Sequence, residues 1–268
     1  QLVADDIFSV KRILSSFNIK EEIEGSSRFK IKLTLPSFIK QEPFIDPEIE
    51  VLSNLAGISI NLPDPFTKLE DTKVDFRLAF KSFLNKPPQL GFKYGDLFRG
   101  KFNFPNNTTE GFVIAGKKKQ SVSILDEQIL LVGELQKLDL GSLISLGIFE
   151  EEGSGNFYIK DLLVQETNFS NLSLSKTRFK SSRTKQGIEY RFINDDLSGI
   201  LLVPEDNQRN LSFKFDFIKI NQSSSGSKDS FLYLYNGISD ELDFSAEKIF
   251  FNGKNYGNWE FSIIPENN

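Results

Sequence analysis

Residues 211–217 read Leu-Ser-Phe-Lys-Phe-Asp-Phe, an uninterrupted alternation of apolar and polar residues. Because successive side chains of a β-strand point to opposite sides of the sheet, this segment predicts a strand with one apolar and one polar face. The same alternation recurs in residues 28–35, 74–81 and 188–192. Strands of this kind are typical of an antiparallel sheet that is covered on one side only.

Helical periodicity is confined to two short segments. Apolar residues recur at three- and four-residue steps from Ile7 to Phe17, directly after Asp5 and Asp6, whose carboxylates favour a helix N-terminus. A second short helix is predicted near residues 140–146, where leucines recur among glycine and serine. The sequence therefore predicts an all-β fold with one or two short helices.

An internal repeat adds to this organisation. Residues 162–175 and 249–262 share the spacing of their apolar anchors and of two asparagines, which predicts a strand, a tight turn and a return strand in each copy. A sheet that grows by repeated hairpins is elongated, although the period of two also fits a sandwich or a barrel. We divide the chain into a helical lead-in over residues 1–23, a sheet segment over 24–150 that contains the short helix, and a segment of repeated hairpins over 151–268.

The composition excludes most of the residue types on which enzymes rely. The 268 residues include no His, no Cys and no Met, but 27 Phe. Without His or Cys the chain cannot form a Ser-His-Asp triad, a thiolate nucleophile or a His/Cys zinc site, so we expect no catalysis, no cofactor and no metal. A carboxylate pair on a β-sandwich, as in glycosidases, is the remaining enzymatic alternative, and no spacing of Asp and Glu favours it.

The net charge and the residue at position 1 further limit the possible functions. The formal net charge is -5, whereas a nucleic-acid partner requires clustered Lys and Arg. We therefore expect no nucleic-acid partner. The absence of Met at position 1 predicts a processed chain or a fragment of a longer one.

Several motifs are similar to those of one known family. Residues 53–68 read Ser-Asn-Leu-Ala-Gly-Ile-Ser-Ile-Asn-Leu-Pro-Asp-Pro-Phe-Thr-Lys and resemble a segment of the YhdP branch of the AsmA-like/TamB superfamily. Residues 92–96, Phe-Lys-Tyr-Gly-Asp, resemble a strand of that family. Residues 138–140, Leu-Asp-Leu, and 197–204, Leu-Ser-Gly-Ile-Leu-Leu-Val-Pro, resemble later segments, in the family's order.

Both repeats resemble the hairpin unit of the same family. The first copy departs from the unit because it carries Glu166 and Ser170 where the second copy has Gly253 and Gly257. The resemblance extends from about Glu24 to the C-terminus.

The resemblance implies a fold, a location and a function. The fold would be an elongated antiparallel sheet that curls into an apolar groove. The protein would span the periplasm, anchored in the inner membrane by an N-terminal helix absent from this chain, and conduct phospholipid between the inner and outer membranes of a Gram-negative envelope. Its partners would be phospholipid acyl chains and, through other parts of the protein, the two membranes. The alternative is a scaffold for outer-membrane protein biogenesis and envelope integrity, which would use sheet edges for strand addition.

The candidate lining of such a groove follows from the alternating strands. Aromatic and aliphatic side chains at alternate positions also fit an ordinary core, and the resemblance favours the groove. The candidate lining residues are Phe29, Ile31, Leu33, Val74, Phe76, Leu78, Phe80, Tyr190, Phe192, Leu211, Phe213, Phe215 and Phe217.

Overall fold

A computed structural model describes most of the chain, which forms two compact units, Gln1–Gly133 and Glu134–Asn268. Within the described part, no helix has the length and apolar character needed to cross a membrane. The described residues are 1–10, 23–35, 46–106, 108–117, 121–125, 127–145, 157–169, 172–204, 210–220 and 242–263.

The first unit is built almost entirely of strands. Strands β1, β2, β3, β5, β6, β7 and β8 follow one another in the sheet as antiparallel neighbours, and β8 then pairs in parallel with the beginning of β9. The short strand β4 pairs with the beginning of β2. The bounds are β1 (Leu2–Ser9), β2 (Ile23–Thr34), β3 (Glu48–Ser53), β4 (Ile58–Ile60), β5 (Phe76–Lys81), β6 (Gln89–Tyr94), β7 (Phe98–Asn103), β8 (Glu110–Ala115) and β9 (Ile129–Asp139), which ends in the second unit.

The beginning of the chain is a strand, and the helix predicted from Asp5 onwards is wrong over this stretch. Strand β1 pairs along its whole length with β2, and the Asp5 carboxylate contacts the Arg28 guanidinium at 2.9 Å. A short helix is marginal in water because its first turn fixes several residues for one hydrogen bond. A strand that pairs along its whole length instead gains a row of backbone hydrogen bonds with its neighbour. Residues 11–22, which complete the predicted lead-in helix, lie outside the described residues.

The second unit contains a short helix and the remaining strands. The end of β9 pairs with β10, and strands β10 to β14 follow as antiparallel neighbours in chain order. Strand β14 then pairs with both β15 and β16, which pair in turn with β18 and β17. The bounds are α1 (Leu140–Ser145), β10 (Phe157–Phe169), β11 (Leu172–Arg183), β12 (Gly187–Ile193), β13 (Leu197–Pro204), β14 (Leu211–Ile220), β15 (Leu242–Ala246), β16 (Ile249–Phe251), β17 (Lys254–Asn255) and β18 (Trp259–Ile263).

These pairings confirm the prediction of an all-β fold with an open sheet. The prediction of antiparallel strands holds for most pairs, but it is wrong for β8 with β9 and for β14 with β15 and β16, which are parallel. Parallel neighbours need a connection of about a dozen residues or more. The connecting residues 116–128 and 221–241 are long enough to bring the chain back to the same end of the sheet. The alternation within each strand does not reveal whether its neighbour is parallel or antiparallel.

The short helix predicted near residues 140–146 is confirmed as α1. Asp139 precedes it and accepts hydrogen bonds from the Ser142 amide at 3.0 Å and from the Ser142 hydroxyl at 2.7 Å. A carboxylate at this position satisfies amides that have no partner within the helix, and it therefore fixes where α1 begins.

The two repeat copies adopt different conformations. In the second copy, Asn252 and Gly253 have φ of 48° and 76° and form the tight turn between β16 and β17. Such left-handed pairs are favoured in two-residue hairpin turns. The first copy carries Glu166 in place of Gly253, and there β10 continues through the corresponding positions to Phe169. In the first copy β10 then pairs with β11, with Phe169 opposite Leu172, so the predicted strand and return strand are confirmed there without a turn at Glu166.

Candidate functional site

Six neighbouring strands of the first unit, β2, β3 and β5 to β8, present apolar side chains on one side of the sheet, here named the first apolar face. The register places Phe29 opposite Ser53, which lies opposite Phe76 and then Tyr94. Directly opposed residues of antiparallel strands point to the same side, so the row continues across the sheet. The apolar members on β2 to β8 are Phe29, Ile31, Leu33, Ile49, Val51, Phe76, Leu78, Phe80, Leu90, Phe92, Tyr94, Phe98, Phe102 and Val113.

Most of this face is half-buried. Phe29 is 8% exposed at the end where β4 and its turn pack against it, whereas Phe80 is 37% exposed. Within the described residues, strands β1 to β7 make their extensive contacts with hydrogen-bonded neighbours. The Phe66 ring, from the loop after β4, stacks on Phe98 with ring centroids 5.5 Å apart, whereas Ile49 is 44% exposed. The face is therefore covered in part by this loop and remains solvent-accessible around Ile49 and Phe80.

The opposite side of the same strands carries charge. The Glu50 carboxylate lies 2.7 Å from the Lys32 ammonium and 2.8 Å from the Arg77 guanidinium. The hydrogen bond from Lys32 and the charge of Arg77 lower the pKa of Glu50, against the opposing effect of its burial. This carboxylate therefore remains ionised between two cations, and the sheet has one apolar and one charged face.

Glycines allow aromatic rings to lie flat on the first apolar face. Gly100 lies opposite Phe92, and a Cβ placed there would come within 2.4 Å of the Phe92 ring. Gly111 lies opposite Phe102 in the same way, with a Cβ at 2.9 Å from that ring. The Phe92 and Phe102 rings stack with centroids 5.8 Å apart. Glycine on one strand thus makes room for a ring from its neighbour.

The second unit carries its own row of rings, here named the second apolar face. Phe192 contacts Phe215 with ring centroids 5.5 Å apart, Phe215 contacts Phe244 at 5.3 Å, and Phe244 stacks on Phe261 at 4.5 Å. The rings of Phe192 and Phe215 meet across Gly199, where a Cβ would come within 3.1 Å of both. The row thus crosses five strands, from β12 to β18.

The structure brings together twelve of the thirteen predicted lining residues in two sets. Tyr190 and Phe192 share a side with Phe213 and Phe215, and Leu211 belongs to the same side by alternation. Burial raises the pKa of the Tyr190 hydroxyl, which keeps that side chain neutral. The set on the first apolar face is Phe29, Ile31, Leu33, Phe76, Leu78 and Phe80, with Val74 packed at the buried end of the face.

Phe217 departs from the predicted row. The register between β13 and β14 shifts between Ser198 and Gly199, so that Ser198 pairs with Phe217 while Gly199 pairs with Phe215. Beyond this bulge Ile218 packs on the cluster that includes Phe215, and the Phe217 ring lies 5.2 Å from the Lys219 ammonium. A β-bulge inserts one residue and reverses the alternation, so Phe217 points away from the second apolar face.

Residues 53–68 build the closed end of the first unit. The Ser53 hydroxyl donates to the Arg28 carbonyl, and Leu55 and Ile58 are buried against Phe29. Gly57, with φ of 84°, lies against the backbone of Ser26, where any Cβ would clash at 2.4 Å. This stretch therefore has a structural role, since it folds the chain back onto β2.

Lys68 ends that stretch as a buried cation. It is 4% exposed, and its ammonium donates to the backbone carbonyls of Ile58 and Leu69. Burial lowers the pKa of Lys68, while the nearby charges of Glu70 and Asp71 oppose that effect. The side chain fixes the loop after β4 to the sheet through carbonyls and uses no carboxylate.

Sequence reasoning missed part of both rows. Phe92, Phe102, Phe244 and Phe261 line the two faces but were not among the predicted residues. Each lies in a short alternating segment such as 89–94, so the same period-two signal identifies them. In the described part of the chain, no group of three or more Asp and Glu side chains is arranged to hold a metal ion.

Comparison with known proteins identifies one family. A family model described as YhdP protein matches residues 8–268 of the chain. Searches of curated proteins and of solved structures found no match.

Proposed function

The chain belongs to the YhdP family, and we propose that its two apolar faces bind phospholipid acyl chains during transport between the inner and outer membranes of a Gram-negative envelope. The observation that carries this proposal is a continuous apolar row across six strands that stays partly exposed, as at Ile49 and Phe80. Covering such a surface with an acyl chain is favourable, since each buried CH₂ group contributes about 0.8 kcal/mol.

The lining supports movement as well as binding. Rings such as Phe92 and Phe102 lie stacked over glycines and form a smooth surface from one strand to the next. An acyl chain that shifts by one strand, about 4.8 Å, would exchange one apolar contact for a similar one. Because the binding free energy would differ little between neighbouring positions, an acyl chain would slide along the face more readily than it would be held at one place.

The charged side of the sheet supports a periplasmic location for this activity. Ion pairs such as Lys32 with Glu50 keep that side hydrated while the apolar side holds hydrocarbon. A protein with these two sides can shield acyl chains in an aqueous compartment. The periplasm is the compartment in which phospholipid would need that shielding.

Native mass spectrometry of the purified chain tests the proposal. We expect bound phospholipid on the unaltered chain and on Lys30→Gln, a substitution on the charged side. Leu78→Gln, at the centre of the first apolar face, should lower the lipid-bound fraction by about threefold or more, since it replaces several buried CH₂ contacts with an amide. Equal lipid occupancy in both variants, or no lipid on the unaltered chain, would contradict the proposal.

A cellular measurement separates the proposal from a scaffold role. Cells that carry Leu78→Gln in the full-length protein should transfer phospholipid to the outer membrane more slowly while their barrel proteins keep normal levels. Reduced barrel-protein levels with unchanged lipid transfer would favour the scaffold and overturn the lipid proposal.

A further inference from the structure

A cavity of about 490 Å³ lies at the end of β6, between the loop after β4 and the turn that joins β6 to β7. Val74 and Tyr94 form one wall, and both also pack against the buried end of the first apolar face. Lys93, the neighbour of Tyr94 on the charged side, lines the same cavity. The cavity is therefore the place where the apolar and charged sides of the sheet meet.

The charges that line the cavity are mixed. Lys68 and Asp96 line it but are engaged, the ammonium by two backbone carbonyls and the carboxylate by Lys117 at 3.3 Å. The other charged groups are the ammonium groups of Lys73 and Lys93 and the carboxylates of Asp64 and Asp75. In the described part of the chain, none of these four side chains forms an ion pair within 4.0 Å. Both signs of charge are thus available to a ligand.

Lys93 also lies in an unfavourable row of cations. The register places it directly opposite Arg77 on β5 and Arg99 on β7. Like charges at opposed positions destabilise a sheet. The Arg77 charge is balanced by Glu50, whereas no carboxylate of the described residues lies within 4.0 Å of the Lys93 ammonium, and a bound anion would balance the Lys93 charge.

From this placement we propose that the cavity binds a phosphate group that carries a neighbouring ammonium, as in the headgroup of a zwitterionic phospholipid. The lysines would hold the phosphate as point charges, and the aspartates would hold the ammonium. The attached acyl chains would pass Val74 and Tyr94 onto the first apolar face. This inference rests on the proposed function and adds a headgroup preference to it.

Calorimetric titration of the whole chain with monomeric dihexanoylphosphatidylethanolamine tests the inference. Dihexanoylglycerol has the same chains without the headgroup, and glycerophosphoethanolamine has the headgroup without the chains. We expect the phospholipid to bind about tenfold more tightly than dihexanoylglycerol, as for one or two charge-assisted contacts. Lys93→Gln should weaken the phospholipid about fivefold and leave dihexanoylglycerol unchanged. Lys30→Gln, which removes an exposed lysine outside the cavity, should change neither affinity.

The outcomes distinguish the headgroup site from the proposed function. If both diacyl ligands bind equally and Lys93→Gln has no effect, the headgroup site is overturned while acyl-chain binding stands. If glycerophosphoethanolamine or inorganic phosphate binds as tightly as the phospholipid, the cavity is a site for soluble phosphates and the lipid assignment is overturned. If neither diacyl ligand binds, the proposed function fails together with this inference.

Discussion

Replacing Gly100 with alanine should strain the first apolar face at one defined point. The new Cβ would lie 2.4 Å from the nearest carbon of the Phe92 ring and 2.6 Å from the Phe112 carbonyl oxygen. The ring can rotate away, but the carbonyl belongs to the neighbouring strand β8 and can move only if the two strands separate. Both adjustments lower stability.

The expected size of the effect follows from these two contacts. Forcing extra volume into a packed site costs about 1–3 kcal/mol, and loss of the stacking between Phe92 and Phe102 costs about 0.5–1.5 kcal/mol. We therefore expect Gly100→Ala to lower the free energy of unfolding by about 2–4 kcal/mol.

Gly91 offers a matched control in the adjacent strand. A Cβ there would meet only the Ala79 carbonyl oxygen, at 3.9 Å, which is ordinary contact. Gly91→Ala should be neutral or stabilise by up to about 1 kcal/mol, because alanine restricts the unfolded chain. Urea titrations followed by circular dichroism measure both variants. If Gly100→Ala is no less stable than Gly91→Ala, the Phe92 ring does not pack closely over Gly100.

Three further substitutions test other contacts. Lys68→Met should lower the unfolding free energy by about 1–3 kcal/mol in urea titrations, since the buried carbonyl of Ile58 loses its side-chain donor and the Leu69 carbonyl keeps only the Thr72 amide; unchanged stability would contradict its clamping role. The folded-state pKa of Glu50 is lowered, so its contribution to stability is present above about pH 4.5 and is lost as the pH falls through the folded value. Glu50→Gln should therefore lose less stability than the unaltered chain between about pH 5 and pH 3, and parallel losses would refute the assignment. Gly253→Ala should lower the unfolding free energy by about 1 kcal/mol, measured by thermal unfolding. The cost would come from the left-handed φ of 76° alone, because no atom lies within 4 Å of the added Cβ; a neutral result would show that this turn is not required.

The sequence predicted the strands because alternation is a local property of the chain. Phe213 and Phe215 lie on one face as expected, since each residue rotates the side-chain direction by half a turn. Phe217 could not be placed in this way, because the bulge opposite Ser198 depends on the pairing of two strands. The parallel pairings of β14 are likewise a property of the returning chain and not of the strand itself.

The remaining differences have similar physical causes. The spacing from Ile7 onwards favoured a helix, but over Ile7 to Ser9 pairing with β2 outweighs that weak local preference, and Val10 is the first helical residue. Lys68 ends the family motif of residues 53–68, but its buried position could not be predicted, because its ammonium binds backbone carbonyls, which every sequence contains. The predicted row was also incomplete, because the alternating segment that contains Phe92 was not included; only the strand pairing shows that Gly100 makes room for the Phe92 ring.

Photo-crosslinking tests the central claim most directly, with the reactive group placed at Phe213 or at Lys214 in the full chain inside cells. These neighbours on β14 point to opposite sides, Phe213 towards the second apolar face and Lys214 towards solvent. We expect a phospholipid adduct, identified by mass spectrometry, at position 213 and none at position 214. Equal adducts at both positions, or none at 213 in a folded protein, would contradict it.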